Sequence, residues 1–392
     1  MNSVGQLKDK NILLLQGPMG DFFARLENYF ISKGAITYKI GFNGGDWLFA
    51  NKKNYIAYKD KKENWENFIS NFLQTKNIDK IFLFGDCRYY QNIAIKIAQK
   101  LNIEIYVFEE GYVRPDYVTL EKWGVNNFSL IPRDYKFYEN LENIDINTPK
   151  PTKPNFLKMT TSAIFYYIFA YLSTKINYPY YEHHRELNPY KELFYGIRNL
   201  YRKYKYKILE KNSLDEIIKK EYFFVPLQTC NDFQVKTHSE FKSIEEFIEV
   251  VLKSFAYYAP PDKYIVLKHH PVDRGRKDYQ KYIYMLSKQL NILNRVIVVY
   301  DLHLPTLLKY TKGTITINST VGLQALYHNS PVKVLGNAIY DIEYLTYPYE
   351  LDDFWRDHKK PNMNLFHKFR NFLIKNTQIN GNFYGYFNFT EL

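Results

Sequence analysis

Short apolar runs of strand length alternate with helical stretches in two separate parts of this chain, and most of the runs end in turns bearing glycine, proline or a polar cluster. Runs of that length, bounded by turn residues, read as buried strands. Strands that alternate with helices argue for a parallel, doubly wound sheet. In the first half the strands are Asn11 to Gln16, Tyr38 to Phe42, Lys80 to Phe84 and Ile103 to Phe108. The helices run from Asp21, as cap, to about Ser32, from Glu63 to Thr75, and from Tyr89 to Leu101. Gly41 to Asp46 reads as a loop holding three glycines. The pattern breaks near Leu141, and Thr148 to Pro154 reads Thr-Pro-Lys-Pro-Thr-Lys-Pro, a stiff connector. From Glu221 it resumes, with strands at Tyr222 to Pro226, Tyr264 to Lys268, Arg295 to Val299, Thr314 to Ile317 and Val332 to Leu335. Ser243 with Glu246 forms a capping box for the helix to Phe255. The expected organisation is a Rossmann-like domain over 1–148, a Pro-rich and helical connector over 149–220, and a second Rossmann-like domain over 221–345. A last segment, 346–392, is a candidate to return to the first.

In such sheets ligands bind at the carboxyl ends of the strands, so the polar residues there are the candidates. Gln16 and Gly17 close the first strand before a helix start, where free N–H groups attract anions. Glu109-Glu110-Gly111 follows the strand Ile103 to Phe108. Neighbours on an extended chain point opposite ways, so one carboxylate can face a ligand while the other holds the loop. In the second half Gln228 and Asp232 follow one strand, Lys268-His269-His270-Pro271 another, and Asn318-Ser319-Thr320-Val321-Gly322 a third. The hydroxyls of Ser319 and Thr320 can cap the next helix or bind phosphate with its N–H groups. The basic turn Asp273-Arg274-Gly275-Arg276 adds positive charge.

The net charge of +12 suits anionic partners without choosing among them. No RNP, helix-turn-helix or zinc-finger pattern is present, so nucleic acid is not an expected partner. Two cysteines, Cys87 and Cys230, fit a reducing compartment. Met1 to Lys10 shows no signal-peptide pattern, and no apolar run is long enough to span a bilayer. Ala163 to Leu172 is almost wholly apolar, and six basic residues lie between Arg198 and Lys211. This piece reads either as a packed connector or as a membrane-surface patch, with Arg198, Arg202, Lys203, Lys205 and Lys207 supplying charge.

Four segments together resemble the capsule polysaccharide biosynthesis family: Phe108 to Asp116, Pro226-Leu227-Gln228 with Asp232-Phe233-Gln234, Lys268 to Pro271, and Asn318 to Leu323. The resemblance is nearest to its S-type retaining β-Kdo transferases of Gram-negative bacteria, Kdo being 3-deoxy-D-manno-oct-2-ulosonic acid. It implies a GT-B arrangement, two Rossmann-like domains facing a central cleft. It also implies a CMP-Kdo donor, a phosphatidylglycerol or lyso-phosphatidylglycerol acceptor, and a cytoplasmic place on the anionic inner-membrane surface. A Kdo-extending partner transferase and the capsule export machinery would be its associates. Glu110 would be the nucleophile, with Glu109 or Asp232 as acid/base, although relatives often carry Asp at the Glu110 position. Lys268 and His270, with Pro271, would stabilise CMP, and Asn318, Ser319, Thr320 and Gly322 would cradle its phosphate. Gln16, Gly17 and Gln228 would line the site, and Arg114 would pair with the Kdo carboxylate. No Asp-X-Asp metal motif stands at a strand end, so no metal and no other cofactor is expected. Another CMP-sugar transferase and a non-catalytic lipid- or polysaccharide-binding export factor are the alternatives.

Overall fold

The computed structural model describes residues 4–153, 155–174, 176–182, 188–230 and 233–392. Pro154, in the expected connector, and Asp232, a candidate acid/base, lie outside them. The chain folds as two compact α/β units, and each is discontinuous in sequence. Unit 1 combines residues 1–130, 145–190 and 372–392, and unit 2 combines 131–144 and 191–371. The expected connector is therefore not a body of its own. It divides after Tyr190.

Unit 1 is built on a seven-stranded sheet of order β12-β6-β5-β4-β1-β2-β3. Strands β1 (Asn11–Leu15), β2 (Ile36–Gly41), β3 (Tyr55–Ala57), β4 (Lys80–Phe84) and β5 (Glu104–Glu110) run parallel. Helices α1 (Phe22–Ser32), α2 (Gly44–Leu48), α3 (Trp65–Thr75) and α4 (Tyr89–Lys100) connect them. Alternate residues of β5 enter two separate cores. Ile105 and Val107 pack with α3 and α4, and Tyr106 and Phe108 with α1, Phe383 and Phe387. Three strands escape the sequence reading. One is β3, and the other two are β6 (Tyr117–Lys122), antiparallel to β5, and β12 (Gln378–Asn380), antiparallel to β6. The glycine loop is also corrected. Asn43 caps α2 by accepting from the Gly45 and Asp46 N–H groups. Asp21 makes no cap bond and pairs with Lys158 and Arg25 instead.

Unit 2 has the sheet β11-β10-β7-β8-β9, all parallel. Its strands are β7 (Tyr222–Pro226), β8 (Tyr264–Lys268), β9 (Val296–Val299), β10 (Gly313–Thr316) and β11 (Val332–Val334). In chain order α5 (Tyr135–Glu139) precedes α6 (Phe156–Thr174), which belongs to unit 1. Helix α7 (Pro189–Leu209) crosses into unit 2, followed by α8 (Ser213–Ile217) and α9 (Phe233–His238). Helices α10 (Ile244–Tyr258), α11 (Gln280–Gln289), α12 (Leu304–Tyr310) and α13 (Thr320–Tyr327) alternate with the strands. After β11 come α14 (Leu351–Phe354) and α15 (Met363–Thr377). Two doubly wound units are thus what the alternation predicts. Among the described residues, no helix is long and apolar enough to cross a membrane.

Candidate functional site

Each sheet has one topological switch point, where successive strands are added on opposite sides and a crevice opens at the carboxyl ends. In unit 2 that point lies between β7 and β10. Gln228 follows β7, and Asn318 to Thr320 follow β10. The Gln228 Nε2 donates to Asn318 Oδ1 (3.0 Å), and the Asn318 N–H donates back to Gln228 Oε1 (3.2 Å). This reciprocal pair fixes the loop that starts α13. Ser319 caps that helix, accepting from the Val321 N–H at 3.2 Å. The next strand end, after β8, carries His270. Its Nδ1 accepts from the Val272 N–H (3.2 Å), which puts the proton of a neutral ring on Nε2 as a donor. Gln228, His270 and the start of α13 therefore bring amide, imidazole and hydroxyl donors to neighbouring strand ends of one sheet. That is the chemistry a phosphate group requires.

Several expected contacts are redirected. Lys268 is buried and its Nζ donates to the Tyr300 carbonyl (3.0 Å), so it braces β8. Arg274 pairs with Asp301 and Arg276 with Glu192, so the basic turn is internally neutralised. Gly322 serves packing, since a Cβ there would strike the Tyr340 hydroxyl. His269 is buried between Tyr279 and Tyr300, and burial pushes its pKa down to about 4.

In unit 1 the switch point lies between β1 and β4. Gln16 is buried there and committed to its neighbours. Its Nε2 donates to Asp46 (3.3 Å) and Tyr166 (3.4 Å), and its Oε1 accepts from Gln91 (2.9 Å). Gly17 makes room for the Phe23 ring. Gln16 and Gly17 thus serve the framework here. Lys39 lies buried over Phe23, and loss of hydration lowers its pKa to about 8, against the pull of Asp46 and Glu27.

The carboxylate pair sits one strand further on. Strand β5 runs through both residues, with Glu109 opposite Thr119 and Glu110 opposite Val118 on β6. Glu109 continues the face of Ile105 and Val107, and Glu110 that of Tyr106 and Phe108. Their environments differ accordingly. Glu109 is partly buried, and its Oε1 accepts from the Glu110 N–H (2.9 Å). Burial, reinforced by the Glu110 and Asp86 charges, raises its pKa to about 7 against that bond and Arg88. Glu110 is exposed, on the side where its charge bears on Tyr384. Arg114, also exposed, donates to the Gly111 carbonyl (3.2 Å).

Two contributors were missed by the sequence reading. Arg88 bears on Glu109, and the adjacency of β4 and β5 in a parallel sheet was the available signal. Gln378, on β12, accepts from the Tyr112 (3.0 Å) and Val113 (3.3 Å) N–H groups and so holds the loop after Glu110. No local pattern marks it.

A profile of the family described as "Capsule polysaccharide biosynthesis protein" matches residues 79–384. The chain is 38% identical over 381 residues to the Escherichia coli capsule polysaccharide export protein KpsS, covering 96% of this chain and 98% of that one. It is 40% identical over 385 residues to the capsule polysaccharide modification protein LipB of Neisseria meningitidis serogroup A, covering 96% and 92%. Among solved structures, Thermosulfurimonas dismutans KpsC, beta Kdo 2,7 transferase, aligns with a TM-score of 0.42 at 16% identity, covering 92% of this chain and 89% of that one.

Proposed function

Because the chain belongs to the capsule polysaccharide biosynthesis family, we propose that it is a retaining glycosyltransferase moving β-Kdo from CMP-β-Kdo to phosphatidylglycerol or its lyso form. The observation that carries glycosyl transfer is the division within the Glu109–Glu110 pair. One carboxyl is raised to about 7 and the other is exposed on the opposite face of the strand. Carboxyls held in unlike environments can divide acid/base and nucleophile roles. The motif resemblance narrows the sugar to Kdo. Glu110 attacks the anomeric carbon and CMP leaves with the bonding pair. By the resemblance, His270 and the start of α13 would meet the departing phosphate charge. The acceptor hydroxyl then displaces Glu110, and its proton passes to the acid/base, Glu109 or Asp232. Two inversions give retention. No metal enters this scheme.

The test is incubation with CMP-Kdo and phosphatidylglycerol, followed by mass analysis of the lipid. The expected product is the lipid carrying one Kdo, with stoichiometric CMP release. Turnover of a different CMP-sugar instead would replace Kdo as the donor. The name of the Escherichia coli relative favours a second reading, a non-catalytic export factor. Lipid binding with no CMP release from any CMP-sugar would establish that reading.

A further inference from the structure

Helix α7 has two faces of opposite character. Its inner face grips unit 2. Arg198 donates to the Gly275 and Arg276 carbonyls, and Arg202 donates to the Arg274 carbonyl (2.9 Å) and lies 3.4 Å from Asp278. Gly275 has no side chain where the Tyr195 carbonyl and Asn199 press against it. Tyr206 stacks on Tyr300 with ring centres 3.7 Å apart. Just past the helix, Glu210 accepts from the Tyr300 and Asp301 N–H groups (2.7 and 2.9 Å). The helix therefore cannot roll. Arg198 and Arg202, expected to supply charge to lipid, are instead its anchors.

The outer face is apolar and uncovered. Leu193, Ile197, Leu200, Tyr201, Tyr204 and Ile208 are between 58% and 75% exposed. At about 100° per residue they form one stripe, within roughly 60° of the line through Ile197 and Tyr204. Lys205 borders it on one side and Lys203 and Lys207 on the other, all exposed. An uncovered apolar stripe of this size marks an interaction site.

We infer that this stripe docks the protein on an anionic lipid surface, the helix lying in the plane of the headgroups. This rests on the lipid-acceptor reading above and names the surface that serves it. The lysine borders match anionic headgroups, and tyrosines suit the interfacial depth. Lysine-bordered stripes on two copies would bring like charges together, which disfavours self-association through this face. The inner-face grip holds the turn that begins at His270, so docking also fixes that turn relative to the surface.

The full-length protein is sedimented at physiological salt with vesicles of phosphatidylglycerol and phosphatidylcholine, and with phosphatidylcholine alone. The Ile197→Glu/Tyr204→Glu variant should lose at least tenfold in affinity for the mixed vesicles. Lys203→Gln/Lys205→Gln/Lys207→Gln should lose a similar factor on mixed vesicles while any weak binding to phosphatidylcholine stays unchanged. Both variants should keep the wild-type circular dichroism, and their turnover of a detergent-soluble short-chain phosphatidylglycerol. Wild-type vesicle binding by the first variant overturns the proposal. So does a wild-type dimer that this variant splits without changing vesicle binding, since the stripe would then face a second copy. Vesicle binding that depends on the stripe, with no Kdo transfer in detergent, sinks the reaction and leaves the docking surface standing.

Discussion

Glu109 and Glu110 are joined by one peptide bond and lie on opposite faces of β5, and two measurements separate their roles. Glu110→Gln removes charge at nearly constant shape, so kcat should fall by several orders of magnitude while the folded spectrum is kept. Near-normal turnover would move the nucleophile elsewhere. Glu109 has a folded pKa of about 7 against an ordinary 4.5. The folded state therefore holds its proton more tightly than the unfolded chain does. The stabilisation is full below 4.5 and is lost as pH rises through 7. Glu109→Gln should accordingly melt higher than wild type at pH 8, with the gap closing toward pH 5. With Glu109 as the acid/base, the variant should also erase a limb near pH 7 from the kcat/KM profile. A limb unchanged in this variant would assign it to another group. Sequence alone supplied the pair and its alternation, because period two is a property of any strand. The raised pKa was not legible, since it depends on burial beside Asp86, a neighbour set by sheet order.

Among the elements, α2 and α6 show how glycine was misread and why. Gly41 to Asp46 has the composition of a loop, yet its two central glycines let α6 lie directly on α2. The Gly44 N–H donates to Ser173 Oγ (2.8 Å), and Tyr166 reaches over Gly45 to donate to Asp46 (3.0 Å) and accept from Asn43 (2.9 Å). A Cβ on Gly45 would meet the Tyr166 ring and carbonyl. Gly45→Val should therefore lower stability by about 1–3 kcal/mol, read as a reduced urea midpoint. An unchanged midpoint would show that α6 can move away at no cost. The strands of the two parallel sheets were legible because both faces are buried and their sequences run apolar. Strand β6 was hidden because Thr119, Glu121 and Lys122 interrupt that run. Thr119 and Glu121 are buried polar groups, paired with Gln378 and with Tyr112 and Ser129.

At the scale of the whole molecule, unit 1 is closed by residues that follow all of unit 2. Gln378 lies 266 positions from Tyr112, whose N–H it accepts. Only the folded topology joins them, which is why local patterns did not reveal it. Gln378→Ala would remove this acceptor and leave the Tyr112 N–H its 3.2 Å bond to Thr119 Oγ1, at a cost of about 0.5–1.5 kcal/mol. Because Tyr112 and Val113 begin the loop after Glu110, the proposed nucleophile, kcat for Kdo transfer should drop by up to about a hundredfold, the order that a 1 Å misplacement can cost. CMP affinity, which the proposal places in unit 2, should not change. A loss confined to the urea midpoint would make Gln378 purely structural.

The same closure sets an order of events during synthesis. Strand β6 leaves the ribosome before any of α7 to α15, and β12 leaves after them. Throughout that interval the nascent first unit carries an unpaired edge along β6, and Phe22 and Phe108 lack their Phe383 and Phe387 partners. An open edge beside exposed aromatics is a template for wrong pairing. The strands of the second unit, by contrast, all emerge as one uninterrupted stretch, so it can complete its sheet while the first still waits. Slowed translation between β6 and β12 would prolong that wait, and the cell's holding chaperones would be needed by the unit that begins first and finishes last.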